Sequence, residues 1–439
     1  MKSKFYIPFI ILSIICCAGL FVKFPEETIV AEGINTADLA WMLSASGLVL
    51  LMTPGLSFFY GGMVSKKNII STMLQSFIAL GVITVLYVAV VFSLSFGTSF
   101  HGIIGNPFDF ALFKGVGLNT NAALSPTIPL LLFAAFQMKF AIITPALITG
   151  SFAERVKFSG YLVFMCLFSV FIYAPLAHWT WHPDGFLRKL GVLDFAGGTV
   201  VHMSAGYAAL AGALVLGQRK SFGSNAHTEP ANIPYILLGT GMLWFGWFGF
   251  NAGSALGANQ TAVLAFVTTV VASASAMMAW VGFDAIRGKK VSAMGTCIGA
   301  VVGLVAITPA AGFVNIPQAL FIGFISAIIS NLAVSTKNKS NLDDTLDVFP
   351  CHGVGGICGM ILTGVFAKDV GLVYGETKTF VMHLIGLVIV SAYAFVGSYL
   401  LLLLTNKISR LRVSEAEEEM GLDLSQHGES YGRKKSVEV

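Results

Sequence analysis

The sequence predicts an all-α polytopic membrane protein: eleven transmembrane helices, arranged as an inverted five-plus-five helix repeat with one extra helix. Three observations carry that prediction. Only 11% of the 439 residues are charged and 56% are apolar, whereas a soluble domain carries roughly 25% charged residues. Eleven apolar stretches downstream of the N-terminal run reach the about 20 residues that cross a bilayer. Two Asp–His pairs with the same internal spacing, Asp194–His202 and Asp344–His352, recur 150 residues apart. So few charges cannot cover a water-facing surface, which excludes nucleic-acid binding and soluble metabolic enzymes.

Residues 1–24 read as a signal peptide: Lys2 and Lys4 precede an apolar run from Phe5 to Val22. The competing reading is a first span that is retained. Residues 25–38 are polar and form an extracellular or periplasmic N-terminal segment. The membrane domain follows over 39–404, with spans at 39–60, 69–97, 126–150, 159–181, 197–217, 233–250, 260–284, 292–311, 317–336, 349–366 and 380–404. Residues 405–439 are too polar for the bilayer and read as a cytoplasmic tail. One set of alternating loops, with the tail, is rich in basic residues such as Lys66, Lys67, Arg155, Arg219, Lys220 and Arg287. The opposite side holds only Lys23, Lys114, Arg188, Lys189, Lys368 and Lys378. By the positive-inside rule the tail is cytoplasmic and the mature N-terminus is outside, in a plasma membrane such as the bacterial inner membrane.

His202 falls in the fifth span and His352 in the tenth. Five is an odd shift, so the second half of the chain is upside down relative to the first. Inverted repeats place a transport site near the midplane, where the halves meet.

Ionisable residues inside spans are costly and are functional candidates by default. Here they are Lys139, His202, Asp284, His352 and His383. Asp284 sits beside the Arg287-Gly-Lys-Lys290 loop and reads as a span-end charge; His383 reads as an exposed outer-end histidine. His202 and His352 lie in apolar, Gly-rich runs. Brought together, they would form an imidazole pair that shares a proton and lines a narrow polar path. The six cysteines show no CxxC spacing and read as packing residues, so no metal site and no cofactor are expected.

Aromatics cluster at two outer span ends, Trp244-Phe-Gly-Trp-Phe-Gly-Phe-Asn251 and His178-Trp-Thr-Trp-His-Pro183. Phe136 and Phe140, four apart, share one helix face. Such rings form either an interfacial belt or a π-faced vestibule for a cation.

Asp194-Phe-Ala-Gly-Gly-Thr-Val-Val-His202, Gly246-Trp-Phe-Gly-Phe-Asn-Ala-Gly-Ser254, Asp347-Val-Phe-Pro-Cys-His352-Gly-Val-Gly-Gly356 and Gly150-Ser-Phe-Ala-Glu-Arg155 resemble the ammonium transporter (Amt/Mep/Rh) family, on its Amt branch. The tail segments Gly421-Leu-Asp423 and His427-Gly-Glu429 resemble it too, so the likeness runs from about 38 to 431. The resemblance implies a non-enzymatic ammonium transporter or channel: a homotrimer in a lipid bilayer, one pore per subunit. It implies an outer ammonium-recruitment site of Phe136, Trp181 and Ser254, and a gate of Phe140 and Phe250. His202 and His352 would be the twin pore histidines, conducting ammonia with separate proton transfer. Asp194 would be a structural acid capping the fifth span. A cytoplasmic PII-type protein is the implied regulatory partner, and Gly421 to Glu429 are expected to dock on a neighbouring subunit. The alternative is an ammonium sensor that binds ammonium with little transport. Lys139 departs from the family pattern. It either borders the recruitment site, where its ammonium group would repel the substrate, or faces another helix.

Overall fold

The computed structural model describes residues 6–23, 25, 33–223 and 229–432. Helix α1 (Tyr6–Gly19) falls inside the predicted signal peptide and exposes Ile7, Phe9 and Ile14. Residues 1–5 and 24 of that peptide, 26–32 of the predicted outer segment, and the basic end 433–439 lie outside the described residues.

Among the described residues, ten helices are long and apolar enough to cross a membrane. In chain order the helices are α2 (Thr36–Met63), α3 (Lys66–Phe96), α4 (Leu130–Phe152), α5 (Phe158–Leu190), α6 (Gly198–Leu216), α7 (Ile233–Gly253), α8 (Gln260–Ile286), the shorter α9 (Ala293–Ile307), α10 (Ile316–Lys337), α11 (Phe349–Phe366) and α12 (Lys378–Ile408). The predicted span 292–311 therefore becomes α9, whose 15 residues are about 22 Å long against a hydrocarbon core of about 30 Å. Pro309 follows the C-cap Thr308 and ends the helix, because its ring has no N–H to donate to the preceding turn. α13 (Glu415–Met420) lies in the tail.

Side chains at the loop ends set where several helices begin. Asn35, Asn232, Asn259, Ser292 and Asn315 each accept a first-turn N–H of α2, α7, α8, α9 and α10, and Gln318 closes a capping box with Asn315. Each cap contributes about 1 kcal/mol. In α5 the first stretch stops at Trp181, where His182 turns to extended backbone (ψ 139°) before a short turn, Phe186–Leu190.

α2 packs along α7 over most of its length, and α8 packs on both α9 and α10. The first contact needs glycine: a Cβ on Gly55 would lie 2.9 Å from Met242 Cβ, and one on Gly239 would meet the backbone of Phe59. Small residues permit this approach where burial of apolar surface gives no drive between helices in lipid. The connection 97–129 holds two small antiparallel ribbons, Ser99–Phe100 with Ile104–Gly105 and Thr120–Asn121 with Ser125–Pro129. The buried centre is aromatic, with Phe136, Phe140, Phe164, Tyr60, Tyr161 and Tyr173 all inaccessible.

Candidate functional site

His202 and His352 sit on two matching pieces of backbone. Each lies in a π-helical turn, Gly198–Met203 and Phe349–Val354, opening α6 and α11. Such turns are rare and concentrate at functional sites. An aspartate caps each turn. Asp194 Oδ1 accepts from Gly197 N (2.8 Å) and Gly198 N (2.6 Å), and Oδ2 from Thr199 N (2.7 Å). Asp344 accepts from Val348 N (3.2 Å) and Phe349 N (2.8 Å). Contacts between the turns are reciprocal. A Cβ on Gly206 would collide with the backbone of Gly353; one on Gly356 would lie 3.1 Å from Met203 Cγ. Adding 150 to one residue of each pair and subtracting it from the other interchanges the two contacts.

The two imidazoles meet at their Nδ1 atoms, 3.4 Å apart, with ring centroids 5.4 Å apart. The surrounding hydrogen bonds assign their tautomers. Thr308 Oγ1 donates to Leu304 O (2.8 Å) and accepts from Trp247 Nε1 (2.9 Å). Its single proton is thereby used, so toward His202 Nε2, at 3.3 Å, it only accepts. His202 therefore carries its proton on Nε2, its Nδ1 is an acceptor, and His352 donates from Nδ1. His352 Nε2 remains as an acceptor.

A continuous file of rings leads to this pair. Phe136 packs on Phe140 (5.0 Å), Phe140 on Trp181 (5.6 Å) and on Phe250 (4.3 Å, planes 35° apart), and Phe250 on His202 (6.0 Å). Beside the file lies a cavity of about 380 Å³ whose wall includes Phe140, Trp181, Ser254, Asp194, Gln137 and Arg188. Phe136 is absent from that wall; it is fully buried, with its ring against Gly253. Ser254 Oγ donates to Phe250 O (2.8 Å), which leaves its lone pairs as acceptors. Trp181 Nε1 is committed to Asp194 O (3.3 Å), so the indole offers only its π face. Gln137 adds a buried carboxamide oxygen with no hydrogen-bond partner among the described residues.

The family model for the Ammonium Transporter Family matches residues 40–431. The chain belongs to the ammonium transporter family, on its Amt branch. It is 47% identical over 404 residues to the ammonium transporter of Aquifex aeolicus, covering 90% of this chain and 93% of that protein. Among solved structures, Candida albicans Mep2 matches with a TM-score of 0.82 at 35% identity, covering 88% of each chain. A structure titled Sensor Amt Protein matches with a TM-score of 0.82 at 30% identity, covering 89% of this chain and 98% of that one. The family and the apolar helices make this a membrane protein with ammonium or ammonia as its substrate class.

On the opposite side of this family member from the cavity, a buried ionic cluster ties the loops together. Arg219 reaches Asp343 (2.9 Å) and Glu154 (2.7 Å), and Arg155 donates to Asp343 O (2.6 Å) and Thr345 Oγ1 (2.8 Å). Burial pushes the Glu154 carboxyl up, but Arg219 with hydrogen bonds from Ser65 and Asn68 outweighs it and holds Glu154 below the ordinary value. Asp343 is likewise held down against its burial, by Arg219 and Arg155. Asp344 has weaker help from Lys337, and burial leaves it raised to about 6.

The tail covers the same face. Arg155 O accepts from Val413 N (3.1 Å), Asp423 accepts from Ser71 N (2.8 Å), and Lys67 Nζ reaches Glu418 O (2.9 Å). Asp423, within the segment expected to dock on a neighbouring subunit, makes this contact with α3 of its own chain. It serves the open N–H groups where α3 begins.

Two of the sequence-derived candidates fall elsewhere. Lys139 stands on the partly exposed face of α4 with Leu131 and Ala135, eight and four residues before it, and is not in the cavity wall. His383 is fully buried, not exposed as expected. Its Nε2 accepts from Leu193 N (2.9 Å) and its Nδ1 faces Met360 O (2.7 Å), so it braces the strand of chain that leads to Asp194. Asp284 is the span-end charge expected, 3.3 Å from Lys289 and 3.1 Å from Asn331. Thr308, Trp247, Gln137 and Arg188 were not singled out. A hydroxyl in an apolar run immediately before a proline was the one available signal for Thr308.

Proposed function

We propose that this chain recruits ammonium at the outer cavity and conducts it, as ammonia with separate proton transfer, past the histidine pair. The single observation that carries the reading is the unbroken file from Trp181 and Ser254 through Phe140 and Phe250 to His202 and His352. The Trp181 face attracts a cation by about 0.5–2 kcal/mol, and the Ser254 oxygen accepts one of its N–H bonds. Phe136 acts from behind, by backing Phe140. Phe140 and Phe250 then form a dry constriction. Desolvation favours the neutral form of an amine, so an ion able to shed a proton passes and potassium, of similar size, does not. Beyond the gate, neutral His202 and His352 exchange hydrogen bonds with ammonia.

The architecture we attach to this reading has eleven spans, with α9 completed by the turns that follow it. The inverted repeat is supported by the matching caps and reciprocal contacts. It further includes a homotrimer, a cleaved signal peptide, an outer N-terminus, a cytoplasmic tail in the bacterial inner membrane, and a PII-type partner at the tail face.

The test is current from reconstituted protein after an ammonium jump, with potassium as control. Equal responses to both ions would sink the reading. A second reading, an ammonium sensor, draws on the likeness to the Sensor Amt Protein. It predicts saturable thermal stabilisation by ammonium with no current.

A further inference from the structure

We infer that the Arg188 guanidinium, anchored on the Trp181 carbonyl, sets the affinity of the outer cavity as an uncompensated positive charge at the cation entrance. The inference rests on the reading of this cavity as the ammonium site.

Arg188 lies on the short turn Phe186–Leu190 and is part of the cavity wall together with Trp181 and Ser254. Its NH1 donates to Trp181 O at 2.7 Å. That carbonyl belongs to the last helical residue of this stretch of α5, where backbone oxygens lack partners and a cation is favoured. The guanidinium therefore pins the residue whose indole faces the substrate. Trp181 is held at two points, through its carbonyl by Arg188 and through Nε1 by Asp194 O.

The charge itself is not neutralised. The neighbouring Lys189 is paired with Asp184 at 2.7 Å. The carboxylate of Asp194, in the same wall, is occupied by Gly197, Gly198 and Thr199 N–H groups. His182 accepts from Asp184 N through Nδ1, which leaves its ring neutral. Among the described residues no carboxylate forms an ion pair with Arg188. The charge is water-exposed, so its repulsion of an incoming ammonium is modest and responds to salt. A unit charge about 7–10 Å away through water changes affinity by roughly two- to threefold.

The experiment measures ammonium-evoked current in proteoliposomes for the wild type, Arg188→Gln and Arg188→Lys, at low and high sodium chloride. Gln removes the charge; Lys keeps it. The expected result is a half-saturating concentration about threefold lower in Arg188→Gln at low salt. The Lys variant should follow the wild type, and the difference should shrink at high salt, where the Debye length drops to a few ångströms. Equal half-saturation in all three proteins at low salt overturns the inference. So does a Gln effect that persists undiminished at high salt, since lost packing around Trp181 is not screened. A wild type that gives no ammonium current, and no stabilisation by ammonium, sinks the site reading itself; normal wild-type current with unresponsive variants sinks only Arg188.

Discussion

His202 and His352 face each other through Nδ1 at 3.4 Å, and the Thr308 hydroxyl on the far side of His202 decides which ring owns the shared proton. Neither ring can change tautomer alone. Moving the proton from His352 Nδ1 to His202 Nδ1 requires His202 to release its Nε2 proton, or to become charged in a dry site. The pair is therefore one protonic unit, anchored at the Thr308 end and open at His352 Nε2.

Substituting either histidine with Leu should reduce ammonium-evoked current by about tenfold or more, the factor that ~1.4 kcal/mol gives, while the protein stays folded. The single variants should also be less stable than the double variant. Removing one ring leaves the other with an unmet polar atom, at about 1–3 kcal/mol, whereas replacing both removes the need. Thermal melting of the three proteins checks this. Unaltered current with lost assembly would make the pair a packing feature.

Thr308→Val should act on the histidines without touching the ring file. Trp247 Nε1 and His202 Nε2 both lose their acceptor, which costs about 1–3 kcal/mol for each buried donor left unpaired. We expect a lower melting temperature and a changed pH dependence of current. Thr308→Ser, which keeps the oxygen, should restore both.

Lys139→Ser should leave the ammonium concentration dependence of current unchanged, because Lys139 lies off the cavity on the Leu131–Ala135 face. A clear drop in half-saturation on this substitution would place its ammonium group in the vestibule.

The ionic cluster makes a signed prediction. Glu154 and Asp343 are held below the ordinary carboxylate value, so the stability they contribute is present above about pH 4. It is lost as pH falls through their lowered values. Asp344 is raised to about 6 and has the opposite sign: its contribution is full below about pH 4 and is lost as pH rises through about 6. Melting temperature against pH should show both limbs. Arg219→Met should weaken the acid limb, with Arg155 still beside Asp343, and cost about 3–5 kcal/mol, since it leaves the buried Glu154 carboxylate unpaired. Asp344→Asn should flatten the upper limb.

Much of this protein was legible without its fold. The long helices begin and end close to the apolar stretches, because hydropathy over about 20 residues is a local property that the bilayer reads directly. The 150-residue recurrence of Asp and His marked the two capped π turns for the same reason: a cap and its helix are neighbours in sequence. The family resemblance pointed to Trp181, Ser254, Phe140 and Phe250, and the four-residue spacing set Phe140 on one face with Phe136. What only the tertiary structure decided are contacts between distant segments. Thr308 controls the proton of His202 from 106 residues away; Phe136 is withdrawn from the cavity by Gly253; His383 is buried because Leu193 and Met360 converge on it. Asp423 returns to its own α3. Arg188, one loop charge among several in the sequence, stands in the cavity wall because the turn after Trp181 folds back over the mouth. Helix crossings and loop returns fix these relationships through packing and hydrogen bonding between segments, and neither composition nor local spacing encodes which side chains will meet.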